Sequence, residues 1–198
     1  LVLEGRDRVG GKILTFSDVP GLPEAGGQSI ASGYGRLIDA ANRSAVVLED
    51  VLPRQLKHPD ITLVLDGAPV SKAAWPQSPR NPFPPPLRET MPWMYTPVAM
   101  AKANPLHAIE DWIKPENARL DVSMYEFLKA QGASDAMIDL AYDTNVSYGT
   151  SAHDVSALMM AFVESFTRAQ RNLKPAIYKA RGGNQRIPEG MAHRLKGG

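Results

Sequence analysis

Hydrophobic positions come in short runs at the front of this chain and at helical spacing toward its end. Leu1-Val2-Leu3 before Glu4 reads as a short strand of the buried type, and Ile13 to Phe16 is a second apolar stretch closed by the turn Pro20-Gly21-Leu22-Pro23. From Tyr34 to Leu48, Leu37, Ile38, Ala41, Ala45 and Leu48 recur at the spacing of one helix face, so the pattern predicts an amphipathic helix. Ile61 to Leu65 is rich in strand formers and runs into Asp66-Gly67, a tight-turn pair, with Val70 opening the return strand of a hairpin.

Between Trp75 and Pro97 the chain places eight of its 17 prolines, Pro84-Pro85-Pro86 among them. Proline has no N–H to give to a helix or a sheet ladder, so the stretch is expected to be an extended surface loop. Trp75, Phe83, Trp93 and Tyr95 lie among the prolines, which favours a loop that packs down over a solvated linker. A polyproline ligand and a loop shaping a substrate entrance are the alternatives.

Helical signals dominate after it. Ser123-x-x-Glu126 reads as a capping box with Gly132 as the stop, and Ser134 caps a helix carrying Met137, Ile138 and Ala141. Ser151-x-x-Asp154 is expected to start the longest helix, whose Val155, Leu158, Met159, Phe162, Val163 and Phe166 form one apolar stripe, read as core. Pro175 ends it or follows soon after. Pro188 suits the first turn of a last helix containing Met191, Ala192 and Leu195.

Composition narrows the function. A formal net charge of +1 argues against nucleic acid as a partner. The absence of Cys excludes a disulfide, a thiolate metal site and a cysteine nucleophile or flavin attachment point within these residues, and leaves the compartment open. No apolar run approaches the roughly 20 residues that span a bilayer. His58, His107, His153 and His193 lack metal-ligand spacing, and there is no G-x-S-x-G, P-loop or H-E-x-x-H. His153-Asp154 suggests a catalytic dyad, but its place at a helix start favours capping.

The most specific chemistry is at the front. Glu4 ends an apolar run and is followed by Arg6, Arg8, Gly10, Gly11 and Lys12. In a dinucleotide-binding fold a carboxylate at such a strand end accepts hydrogen bonds from ribose hydroxyls. Gly-Gly lets the backbone approach a diphosphate, and arginine supplies donors to its oxygens. Asp7 and Arg8 are read as a surface pair. The glycine-rich turn that should come about twenty residues earlier is not among these residues, so the expectation is an internal piece of a larger nucleotide-dependent enzyme.

The pattern E-x-R-x-R-x-G-G-K resembles the second dinucleotide motif of the flavin-containing amine oxidase family, which includes monoamine, polyamine and L-amino-acid oxidases. Glu24-Ala25-Gly26-Gly27-Gln28-Ser29 resembles the family's Gly-Gly turn near the flavin. Arg181-Gly182-Gly183-Asn184-Gln185-Arg186-Ile187-Pro188 resembles the segment where the chain returns from the substrate domain. The three stand in the family's order and span nearly the whole chain.

That resemblance implies an α/β plus α+β fold: part of a Rossmann-like FAD-binding domain over residues 1–50, an inserted, mostly helical substrate domain over 51–178, and a return segment over 179–198. It implies FAD as cofactor, with Glu4, Arg6, Gly10, Gly11 and Lys12 on its adenosine and phosphate side. Gly26, Gly27, Gln28 and Ser29 would then lie by the ring. Lys12 stands where the family usually has Arg, keeping the charge without the planar fork. Ser29 stands where the venom-type amino-acid oxidases carry an Arg that clamps the substrate carboxylate, which favours an amine over an amino acid. Arg36 is nearby. Tyr148 is a weaker candidate for an aromatic amine cage, set against packing.

The reaction so implied is hydride transfer from the carbon next to an unprotonated amine to the flavin, hydrolysis of the imine, and reoxidation by oxygen or another electron acceptor. No residue is nominated as catalytic. Partners implied are a small-molecule amine and the acceptor, with a homodimer left open. The isolated stretch is expected to bind flavin poorly and to be inactive. The alternatives are a desaturase or porphyrinogen-oxidase-type flavoenzyme of the same superfamily, and a non-catalytic piece that complements a partner chain.

Overall fold

The computed structural model describes residues 2–57, 62–145 and 148–196. It divides the chain into two compact units, Leu1–Pro59 with Gln170–Gly198, and Asp60–Ala169.

Among the described residues the first unit holds two small antiparallel sheets. Strand β1 (Leu14–Thr15) pairs with β2 (Glu24–Gly26), setting Thr15 opposite Glu24. Strands β3 (Ile30–Ala31) and β4 (Leu48–Asp50) flank a central β7 (Ile177–Ala180). Helix α1 (Gly35–Arg43) and helix α7 (Arg186–Lys196) complete the unit with the short α2 (Leu52–Gln55). Ile30, Ala41, Val46, Ala180 and Ile187 form its core.

Two expectations fail here. Val2 to Glu4 lie outside any strand, and Leu1 falls outside the described residues. Strand geometry needs a neighbour's ladder, and among the described residues none pairs with this segment. The predicted helix to Leu48 stops at Arg43. Val46 N bonds the Ala41 carbonyl at 2.9 Å and Ala45 N the Asn42 carbonyl at 3.0 Å, with Ala45 left-handed at φ 55°. That is a helix C-terminus of the kind glycine usually makes; with alanine in the left-handed place the sequence carries no stop signal. Leu48 goes to the sheet, opposite Ala180.

In the second unit β5 (Leu63–Leu65) and β6 (Ala68–Val70) make the expected hairpin. Asp66 and Gly67, at φ 49° and 75°, form its two-residue turn. Ile61 lies outside the described residues. The aromatics of the proline-rich stretch do pack down: Trp75, Phe83 and Tyr95 are buried in one cluster with Met100, Leu106 and Leu128. Its regular structure exceeds the expected loop. Single 3₁₀ turns cover Trp75–Gln77 and Pro85–Leu87, and helix α3 runs over Pro92–Ala103. Pro92 sits in its first turn, where the missing N–H is harmless. Elsewhere side chains supply the absent donors: Asn81 Nδ2 bonds the Trp75 and Arg88 carbonyls at 3.0 and 2.9 Å, and Arg88 Nε the Pro76 carbonyl at 2.6 Å.

Helix α4 (Met124–Ala130) carries the expected capping box, Glu126 N to Ser123 Oγ at 3.1 Å and Ser123 N to Glu126 Oε2 at 3.0 Å. Helix α5 (Asp135–Asp143) is capped by Ser134. Helix α6 (Ala157–Ala169) starts six residues after the expected Ser151. Residues 155–157 are held instead by 122–124, with Met124 N to the Val155 carbonyl and Ala157 N to the Val122 carbonyl at 2.8 Å each. The expected apolar stripe of α6 is not its buried face. Ala157, Ala161 and Ser165 are buried, whereas Met159 and Val163 are 50% and 45% exposed. Small side chains let the neighbouring segments approach closely, while Leu158, Phe162 and Phe166 are half-buried, with Phe162 edge-on to Trp112 at 5.7 Å between ring centroids. No helix among the described residues is long and apolar enough to cross a membrane.

Candidate cofactor site

The glycine pairs of the first unit meet. Gly10, at φ 105°, lies so near the last helix that a Cβ there would come within 2.9 Å of Pro188 Cγ. A Cβ on Gly26 would fall 2.2 Å from the Lys12 carbonyl oxygen, and one on Gly183 2.4 Å from Thr15 Cγ2. Gly26 thus lies against the backbone of Lys12, while Gly10 and Gly183 lie against the side chains of Pro188 and Thr15, three approaches that leave no room for a Cβ.

A buried polar cluster ties them. Glu24, 9% exposed, accepts from Thr15 Oγ1 at 2.7 Å and from Asn184 N at 2.8 Å. Thr15 Oγ1 accepts from Gln185 N at 3.1 Å. Asn184 Nδ2 donates to the Gly27 and Gln28 carbonyls at 2.6 and 3.3 Å, while its Oδ1 accepts from Ala180 N at 2.8 Å. Gln185 Nε2 donates to the Val9 carbonyl at 2.6 Å, and its buried Oε1 has no hydrogen-bond partner. Buried polar groups need such partners, and a buried carboxylate most of all. The sequence pattern places Glu24 and Asn184 in Gly-Gly motifs and assigns them no role. The signal is an acid two residues before one Gly-Gly and an amide directly after another.

Outside this cluster the front loop is open. Glu4 is exposed and accepts from Arg6 N at 3.1 Å. Arg6, Gly11 and Lys12 are exposed, and a Cβ on Gly11 would meet nothing within 4 Å. Arg8 is not the expected surface partner of Asp7. Its guanidinium turns onto the Ile13 and Gly11 carbonyls at 3.0 and 2.9 Å and closes the loop. Gly27, Gln28 and Ser29 are also exposed, next to the clamped carbonyls. An accessible carboxylate, two accessible cations and an unobstructed glycine are the groups that could hold a dinucleotide's ribose and diphosphate, so the donor set fits FAD.

In the second unit Tyr148 packs on Tyr142, ring centroids 4.6 Å apart, and burial raises the pKa of both phenols. The Tyr142 hydroxyl is buried without a hydrogen-bond partner. His153 stacks on the Tyr125 ring at 4.2 Å, while Asp154 accepts from the Ser151 and Thr150 hydroxyls. His153 and Asp154 therefore make separate contacts, His153 with the distant Tyr125 and Asp154 with its own turn. Among the described residues no three His, Cys, Asp or Glu are grouped to hold a metal ion.

Over residues 1–198 the sequence matches the family model described as flavin containing amine oxidoreductase. No curated protein sequence matches significantly. Among solved structures the fold is similar to that of a triple mutant of putrescine oxidase, at 19% identity and TM-score 0.59. It is also similar to wild-type putrescine oxidase bound to putrescine, at 21% identity and TM-score 0.58. Each alignment covers 97% of this chain and 42% of the other, so the chain spans less than half the length of those relatives. The resemblance drawn from the three Gly-Gly segments is confirmed, as are the mixed α/β fold and FAD as the cofactor it implies. The chain belongs to the flavin-containing amine oxidoreductase family.

Proposed function

We propose that the protein oxidises a small amine with FAD, and that residues 1–198 contribute the adenosine and diphosphate side of the cofactor site together with part of the substrate unit. The family match over the whole of these residues carries the reading. Bound FAD supplies the acceptor for the hydride that leaves the carbon beside the amine nitrogen. Glu4 would accept from the ribose hydroxyls, and Arg6 and Lys12 would offset the diphosphate charge, with the unobstructed Gly11 letting the backbone come close and Gly10 holding the loop against Pro188. Gly26, Gly27, Gln28 and Ser29 present backbone and uncharged side chains to the ring. Ser29 is exposed and neutral, so it cannot neutralise a carboxylate, which favours an amine over an amino acid as substrate. The structurally similar putrescine oxidase is bound to putrescine, consistent with that class. Tyr148 offers an aromatic face to a cationic amine.

The test is an absorbance spectrum of the protein expressed with its natural flanking sequence. Flavin bands that bleach anaerobically with mono- or diamines, and return with air, are expected. Bleaching by amino acids alone would overturn the amine assignment, and a protein that stays colourless with added FAD would overturn the oxidase reading.

A further inference from the structure

We infer that Glu24, Thr15 and Asn184 are positioning residues: a closed ring of buried hydrogen bonds that sets both cofactor-facing loops and links cofactor binding to docking of the 181–187 segment. The proposal rests on the FAD reading above and goes beyond it, because none of these three side chains is assigned to the cofactor itself.

Both arms of the ring end on the Glu24 carboxylate. Gln185 N–H donates to Thr15 Oγ1, whose single proton is committed to Glu24 Oε2, and Glu24 Oε1 takes the N–H of Asn184, the residue before Gln185. A carboxylate is required at 24, since both of its oxygens receive donors; an amide would turn an N–H against one of them. A hydroxyl is required at 15, since it must both accept and donate. The ring reaches the two loops through side-chain amides. Gln185 Nε2 fixes the Val9 carbonyl just before Gly10-Gly11, and Asn184 Nδ2 fixes the Gly27 and Gln28 carbonyls just before Ser29. The close approaches at Gly10 and Gly183 leave the loops little room to settle elsewhere. Whatever holds residues 184 and 185 therefore also holds the peptides on which the open groups of the site are mounted. By reciprocity, a ligand that orders those loops must tighten the ring.

Thr15→Val and Thr15→Ser separate the hydroxyl from the shape it occupies, and Asn184→Asp turns the Nδ2 donor into an acceptor against two carbonyls. In the protein with its natural flanking sequence, three quantities are measured: the FAD dissociation constant, the visible circular dichroism of the saturated flavin, and exchange of the Asn184 and Gln185 amides with and without FAD. T15V and N184D should weaken FAD binding by about tenfold or more, the effect of one buried hydrogen bond. T15S should stay within about threefold of the wild type. N184D should also change the flavin dichroism at saturation, which a loss of stability alone would not do. FAD should slow exchange at both amides in the wild type and in T15S. Unchanged FAD affinity in folded T15V and N184D would overturn the proposal. If those variants do not fold, wild-type exchange at the two amides that is indifferent to FAD overturns it, and FAD-slowed exchange in wild type and T15S supports it. A wild type that binds no FAD removes the reading beneath the proposal and the proposal with it, a result distinguishable from the others.

Discussion

Asn145 donates from Nδ2 to the backbone carbonyl of Trp93 at 3.4 Å, and that carbonyl is the one Pro97 leaves without a helical partner. Proline four residues on has no N–H to return, so a side chain from beyond α5 supplies one. The same Asn145 side chain faces the Tyr148 hydroxyl, and there works against the burial that raises its pKa. Asn145→Ala should cost about 1–2 kcal/mol. In a Pro97→Ala background, where residue 97 regains its N–H, the cost should shrink by about 0.5–1 kcal/mol. A urea-unfolding cycle over the four proteins measures it, and strict additivity would mean the bond does not compensate for the proline.

Ala45 sits at φ 55° in the helix-ending position that favours glycine. Ala45→Gly should therefore stabilise the protein by about 1 kcal/mol, against the usual direction for a glycine substitution. Ala45 is exposed, so no packing is lost. A lower melting temperature in A45G would show that the left-handed residue is not strained.

The buried face of α6 is its row of small residues. Ala161→Leu should cost about 1–3 kcal/mol by overpacking, whereas Met159→Lys should stay within about 0.5 kcal/mol. Chemical denaturation compares them. The reverse order would restore the large apolar stripe as the core contact.

Asp111 accepts from Lys114 Nζ at 2.7 Å and from the His107 and Ala108 amides at 2.9 Å each. Lys114 first, and then the two amides, hold its pKa down to about 2. A lowered carboxylate pKa means that its contribution is complete above the ordinary carboxylate range and is lost as pH falls toward about 2. Asp111→Asn should flatten part of the fall in stability between about pH 5 and about pH 2. Parallel wild-type and D111N urea curves across that range would deny Asp111 the role.

What could be read in the sequence followed from how local each signal is. The Asp66-Gly67 hairpin and the Ser123–Glu126 box declare themselves within four residues, and both are present. Helix α3 was hidden because its prolines veto a helix locally, while the compensating donor lies at Asn145, 52 residues away. The end of α1 was hidden by an alanine in a glycine's place. The front glycine motif was legible as chemistry, but its partners were not: Glu24 meets Asn184 across 160 residues, and no local pattern records that pairing.

The measurement that bears most directly on the cofactor assignment is the FAD dissociation constant of the natural protein beside Glu4→Gln. Glu4 is exposed and bonds locally to Arg6 N, so its loss should leave the fold intact. The account predicts FAD binding weakened by about tenfold or more, the loss of a charged acceptor for the ribose hydroxyls, with an unchanged melting temperature for the apoprotein. Equal affinity in the two proteins would contradict it and remove the front loop from the cofactor site.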